Sequence, residues 1–187
     1  DCGCGYVDPR DNHFAQISYD YTLANTSDAN KDWLQNLDVE FRRSWGGKKI
    51  LMSHGSPRRV NEFMWETMCP DGFLRYLLDE ADADVLFVTH TGIPWSRTLP
   101  DGRKVINVGV IGRPPNNGGT EVDYVLVHDR DGELEFEFRK LAYDHEALAD
   151  EMREVGLPEE FVETILTGWW TTCLEILPAR ERAVGPY

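Results

Sequence analysis

The sequence predicts an α/β protein with parallel strands at its centre, and three observations carry that expectation. Two short apolar runs, Ile50-Leu51-Met52-Ser53 and Val85-Leu86-Phe87-Val88, have the length and residue types of strands covered on both faces. Between them Phe73, Leu74, Leu77 and Leu78 fall at helical spacing and describe a face that packs on a sheet. The stretch from Ile50 to Val88 is therefore a β-α-β crossover, long enough for a right-handed parallel connection. Farther along, Leu134, Phe136 and Phe138 alternate with Glu133, Glu135 and Glu137, the pattern of a strand wet on one face and buried on the other.

Through about Thr22 the chain is rich in Gly, Asp, Pro and Asn, and Asp8-Pro9-Arg10-Asp11-Asn12 reads as a turn cluster, so a loop is expected there. Ser27 and Asp28 offer an N-cap for a helix that places Trp33, Leu34 and Leu37 on one face. Trp45-Gly46-Gly47 marks a turn before the first strand at 48–53. Residues 58–81 read as helical material broken at Pro70, which suits a helix's first turn because its missing N–H costs nothing there. After position 90 the texture changes to Pro94-Trp95 and Pro100-Asp101-Gly102, followed by strands at 104–111, 121–128 and 133–139. The last two are joined as a hairpin through Asp129-Arg130-Asp131-Gly132. Asp144 starts a helix that Gly156 ends, and Pro158 opens another that runs toward Trp169 and Trp170. The final residues, with Pro178 and Pro186, read as a surface tail.

A length of 187 residues supports one domain with a sizeable core, here 1–187 with a helical extension at about 144–187. Acidic residues number 33 against 19 basic ones, for a formal net charge of −14, and no stretch gathers Lys and Arg into a stripe that would neutralise a duplex. Nucleic acid is therefore not an expected partner. Small anionic substrates stay open, because a local site governs their binding. No basic-then-apolar leader and no apolar run of spanning length occur, so the expectation is a cytoplasmic chain without a membrane partner. Four cysteines, with Cys2 and Cys4 close together and Cys69 and Cys173 isolated, spell neither a disulfide framework nor a zinc ribbon. Reduced thiols are expected, with Cys2-Gly3-Cys4 open as half of a metal site.

The chemistry centres on His54 and His90. Each follows one of the two central strands, which puts both imidazoles at the carboxyl edge of one sheet, where open α/β sheets build ligand and metal sites. His54 precedes a glycine that lets the backbone bend away, so its ring suits a metal ligand or a hydrogen-bonded loop histidine. A second histidine in the same topological place favours the ligand. Two imidazoles fall short of a catalytic centre, which needs a third ligand and an open position, and a carboxylate bridge if two ions are held.

These segments resemble the calcineurin-like metallophosphoesterases over roughly residues 48–144. His54-Gly55-Ser56-Pro57 is similar to that family's penultimate ligand motif, and Thr89-His90-Thr91-Gly92-Ile93-Pro94 to its Gly-His-Thr-His-x-Pro motif. Asn107-Val108-Gly109-Val110-Ile111-Gly112-Arg113-Pro114 resembles the Asn-Pro-Gly-Ser-x-Gly-x-Pro segment, and Arg139 with Tyr143-Asp144 the closing strand. The resemblance implies a metallophosphoesterase-like α/β sandwich of mixed sheets flanked by helices, and hydrolysis of a small phosphoester at a two-metal site. It implies divalent Mn, Fe or Zn, with His54 and His90 as ligands. Position 92 is Gly where the family carries its last metal-binding histidine, and nothing matches the amino-terminal Asp-x-His, Gly-Asp and Gly-Asn-His-Asp motifs. The expectation is accordingly the carboxyl-terminal part of a longer phosphoesterase, or else a short relative that has lost metal catalysis and serves as a binding or assembly module. Either a missing amino-terminal segment or a homo-oligomer would then cover the exposed sheet.

Arg58, Arg59 and Arg113 offer bidentate donors for a phosphate, against surface charge pairing as the alternative. Thr91 and Asn107 suit hydrogen bonds that orient the histidines. His13 reads as a loop residue or substitute ligand, His128 and His145 as structural or exposed. Trp65, Trp95, Trp169 and Trp170 read as packing residues.

Overall fold

The computed structural model describes residues 3–185. Its main sheet has five strands in the order β1-β2-β3-β5-β4. The central three, β2 (Lys48–Ser53), β3 (Val85–Val88) and β5 (Lys104–Asn107), run parallel. The edge strands β1 (Glu40–Trp45) and β4 (Trp95–Thr98) run antiparallel to their neighbours. A separate hairpin, β6 (Val122–Arg130) and β7 (Glu133–Leu141), lies over one face.

Period-two alternation decides which residue faces which layer. Leu51, Leu86, Val88 and Val105 point toward the helix α3 (Asp71–Glu80) and bury against Leu74, Leu77 and Leu78. Their chain neighbours Ile50, Val85, Phe87 and Ile106 point the other way, onto Leu134, Val125, Val127 and Phe136 of the hairpin. A sheet clothed on both faces by these two layers is the expected α/β sandwich. Four helices complete it: α1 (Pro9–Asn25), α2 (Asp28–Gln35), α4 (His145–Glu154) and α5 (Glu159–Thr167), with a short α6 (Ala179–Arg182). No helix among the described residues is long and apolar enough to cross a membrane.

Several local expectations are corrected. The stretch through Thr22 is α1: Asp8 is its N-cap, accepting from the backbone N–H of Arg10 at 2.7 Å, and Pro9 occupies its first turn. The Asp-Pro pair that suggested a turn is equally a helix start. Residues 58–69 form a folded-back loop and a single 3-10 turn at Glu66–Met68, so only the part after Pro70 is α-helical. The strand expected at 104–111 stops at Asn107, whose side chain is diverted to the loops beside it. Strands β1 and β4 are additions. The carboxyl-terminal residues through Gly185 are docked: Glu181 accepts from the Thr67 hydroxyl at 2.6 Å and Arg182 donates to the Leu174 carbonyl. Pro186 lies outside the described residues.

Candidate functional site

Parallel pairing in register brings three strand ends to one edge: Ser53 of β2, Val88 of β3 and Asn107 of β5. His54 follows the first directly and His90 follows the second by two residues. The two loops are tied together where Thr89 N donates to the His54 carbonyl at 2.9 Å. His54 Nε2 and His90 Nδ1 stand 3.0 Å apart, with ring centroids separated by 4.9 Å.

Local backbone geometry aims both rings. After His54, a Cβ at Gly55 would lie 2.6 Å from the Arg59 carbonyl oxygen, so only glycine lets the 56–62 loop fold back against the strand end. His90 has φ +56°, a left-handed conformation uncommon outside glycine and enriched at functional sites. Gly92 follows at φ +76°, and a Cβ there would already touch Trp170 and Val110 at 3.5 Å and Arg113 at 3.6 Å. Those distances are ordinary contact, so it is the left-handed backbone at 92 that favours glycine there.

Asn107, fully buried, holds the edge. Its Nδ2 donates to the Thr89 carbonyl at 3.1 Å and to the Thr91 hydroxyl at 2.7 Å, while its Oδ1 accepts from Gly109 N at 3.1 Å. Thr89 completes the link by donating its hydroxyl to the Gly109 carbonyl at 2.6 Å. The 89–91 and 107–109 turns are therefore fixed to each other, and His90 is positioned between them.

Burial lowers the pKa of both histidines, and the neighbouring His54 pushes His90 further, to about 4. The backbone of Cys4 and Asn61 acts in the opposite direction on His90. Both rings are neutral near pH 7, the form in which imidazole ligates a metal. The His90 Nε2 is buried and, among the described residues, lacks a well-formed hydrogen bond. Two nitrogens bound to one ion at about 2.0–2.1 Å would stand roughly 2.9–3.4 Å apart for ligand angles between square and tetrahedral, so the observed 3.0 Å is compatible with two donors to one ion and is equally that of the N–H···N hydrogen bond the two neutral rings make with each other. Among the described residues, however, no group of three or more His, Cys, Asp or Glu converges. The residues present thus fit part of a metal's ligand set and not a whole one. Cys2 lies outside the described residues, and its role as half of a Cys2-Gly3-Cys4 site goes with it.

The three arginines separate. Arg58 is engaged: its guanidinium pairs with Glu62, with Nε at 3.0 Å, and lies over the Phe73 ring at 4.9 Å. Arg59 is exposed on the same loop. Arg113 stacks its guanidinium on Trp170, 3.6 Å from the ring centroid, beside Gly92. His13 is exposed on α1, His128 lies 3.4 Å from Glu137, and His145 sits in the first turn of α4, so none of them joins the pair. Trp65, Trp95 and Trp170 are buried as expected, and Trp169 is half-buried.

Sequence reasoning missed Phe63, whose ring lies 4.4 Å from that of His90, and Tyr6, 5.6 Å from Phe63. Neither sits in a pattern that marks it. His54 also borders an open, largely apolar groove of about 650 Å³, bounded by Met52, Phe87, Val110 and the hairpin residues Tyr124 and Val125.

No family model matches this chain. An uncharacterized protein of Methanocaldococcus jannaschii is 24% identical over 172 residues, covering 84% of this chain and 67% of its own length. Among solved structures, a hypothetical protein from Pyrococcus horikoshii superposes with a TM-score of 0.73 at 20% identity, over 91% of this chain and 68% of that one. A metallophosphoesterase from Sphaerobacter thermophilus gives 0.64 at 23% identity, over 89% and 72%. The architecture of this chain is therefore that of the metallophosphoesterase fold.

Proposed function

We propose that this chain contributes to a metal-dependent phosphoester hydrolase of the calcineurin-like family, with His54 and His90 donating to a divalent Mn, Fe or Zn ion. The observation that carries the reading is the pair of neutral imidazoles 3.0 Å apart at the carboxyl ends of adjacent parallel strands. A bound ion of this kind polarises a phosphoryl oxygen and acidifies coordinated water. The chain's own residues supply orientation and charge. Asn107 and Thr91 fix the His90 loop, and Arg113, without a carboxylate partner among the described residues and adjacent to Gly92, offers its guanidinium edge to a phosphate of a small phosphoester. Arg58 is committed to Glu62 and is a loop-bracing residue in this reading; Arg59 faces solvent.

The test is metal analysis together with hydrolysis of an aryl phosphodiester, with Mn, Fe or Zn supplied, on the unaltered protein, His54→Ala and His90→Ala. The expected outcome is metal-dependent turnover, lost by about a hundredfold or more in either variant, because metal ligands act as a unit. A protein that retains no metal and turns over no phosphoester would overturn the reading. A second reading, a non-catalytic binding or assembly module on the same fold, is favoured by the absence of a third converging ligand among the described residues. Metal bound without hydrolysis of any phosphoester would select it.

A further inference from the structure

A second cavity, separate from the groove beside His54, opens between the amino-terminal and carboxyl-terminal helices. Its volume is about 390 Å³, within the range of small-molecule sites. Phe14 and Tyr21 from α1, Phe161 and Ile165 from α5, with Met152 and Leu157, give it apolar walls. In a chain with 33 acidic residues and a net charge of −14, no aspartate or glutamate among the described residues lines it, and the charged wall residue among them is Arg113.

Arg113 also differs from the other arginines that make neither a side-chain hydrogen bond nor an ion pair among the described residues: Arg43, Arg59 and Arg180 are exposed, and Arg113 is half-buried. Among the described residues it makes no hydrogen bond and no ion pair, whereas Arg58, Arg97, Arg103 and Arg153 each have a carboxylate partner. One face of its guanidinium is held on the buried Trp170 ring. The planar edge, with its N–H donors, is left for something else. The Trp170 ring is itself fixed, donating from Nε1 to the Pro114 carbonyl at 2.7 Å, so the cation is presented by a rigid support. Tyr6 stands on the same wall, its phenol kept neutral by burial and hydrogen-bonded to Cys173, beside Arg113.

We infer that this cavity binds a compact organic anion, an aromatic or branched-aliphatic body carrying one anionic group, with the anion on the Arg113 edge and the body between α1 and α5. Charge complementarity and wall chemistry both point to that class. A neutral ligand would leave the guanidinium edge unused, and a cation would meet Arg113 head-on. The inference goes beyond the hydrolytic reading and does not require it. The cavity adjoins the histidine loop through Arg113 and Gly92, so in an active hydrolase it would be placed to hold an apolar group of the substrate.

The experiment uses naphthalene-1-sulfonate, which cannot be hydrolysed, and uncharged 1-naphthalenemethanol as paired probes in titration calorimetry, with thermal melts to verify folding. The sulfonate is expected to bind the unaltered protein more tightly than the alcohol. Arg113→Met, which keeps an apolar contact to Trp170, should weaken the sulfonate by about tenfold or more and leave the alcohol within about twofold, as expected for loss of a charged hydrogen bond. Ala15→Phe on the half-buried face of α1 should fill the cavity and abolish both, and Ser18→Trp, at an exposed wall position, repeats the test if Ala15→Phe does not fold. Equal binding of the two probes, binding that survives a folded cavity-filling variant, or no binding of the sulfonate would overturn the inference. None of these outcomes depends on metal content or phosphoester turnover, so failure here is distinguishable from failure of the hydrolytic reading.

Discussion

Asn107 shows how much one buried side chain carries at this site. It satisfies three polar groups on two turns, and its removal would leave the Thr91 hydroxyl and Gly109 N–H without it in a place with no access to water. Asn107→Ala is expected to cost about 2–4 kcal/mol in denaturant unfolding and to weaken any metal binding by about tenfold, since it orients the His90 loop. Glu62 makes a pH-dependent contribution nearby. The Arg58 guanidinium, with help from the Ser56 hydroxyl, holds its carboxyl below the usual range. Its contribution is therefore present in full above the unfolded-state value of about 4.3 and is lost as pH falls through the lower folded value. Glu62→Gln should lower stability by about 1 kcal/mol at pH 7, with the difference from the unaltered protein vanishing in strong acid. A pH series of urea titrations on both proteins checks it; a gap that persists in strong acid would remove the charge from the explanation. The histidines themselves were legible in the sequence, because strand, histidine and glycine adjoin in the chain. Phe63 against His90, and Trp170 beneath Arg113, were not, because those contacts join residues distant in sequence through loops with no period.

Elements were legible where one face is buried and silent where it is not. α3, β2, β3 and the β6-β7 hairpin bury regular positions, so their periodicity is printed in the chain. α1 buries only Asp11 and Phe14 of its 17 residues, and its apolar residues follow no stripe. Its start is set instead by capping chemistry: Asp8 receives the N–H groups of Arg10 and Asp11, and Pro9 supplies a preset backbone angle. Asp8→Ala is expected to destabilise the protein by about 1 kcal/mol, seen as loss of helical signal at lower denaturant, because two amino-terminal N–H groups lose their acceptor. An unchanged midpoint would mean that α1 is held by its packing alone. One such contact is the Asp11 carboxylate, which accepts from Cys173 N at 2.8 Å and ties α1 to the carboxyl-terminal segment. β1 was missed for a related reason. All six residues of β2 pair with it, yet its own side chains stay mostly in solvent, so no buried stripe announces it.

At the scale of the whole molecule, apolar cover is unevenly distributed. The sheet is sealed on one face by α3 and over part of the other by the hairpin, whereas α2, β1 and the residues between them leave Trp33 63%, Val39 81% and Phe41 49% exposed, with Leu34 and Leu37 about half exposed. Trp33, Leu34 and Leu37 are the face that the sequence marks for burial, and here it has no layer to bury against. The ridge continues into β1, which among the described residues has a partner on one side only and therefore an unpaired backbone edge. Net charge of −14 opposes close approach of two copies; on β1 itself Arg42 is paired with Glu40 and Arg43 adds positive charge, and salt screens the remainder. Apolar burial at about 25 cal/mol per Å² favours covering such a ridge once repulsion is screened. The chain studied by itself is accordingly expected to associate with rising concentration and more strongly with rising salt, measured as mean mass by light scattering. The paired change Trp33→Glu and Leu37→Glu, at positions that contribute nothing to the core, should return it to a monomer with an unaltered melting profile. A monomer that persists at every concentration and at high salt would show that the α2 and β1 surface is stable in water, and the missing cover would then need another explanation.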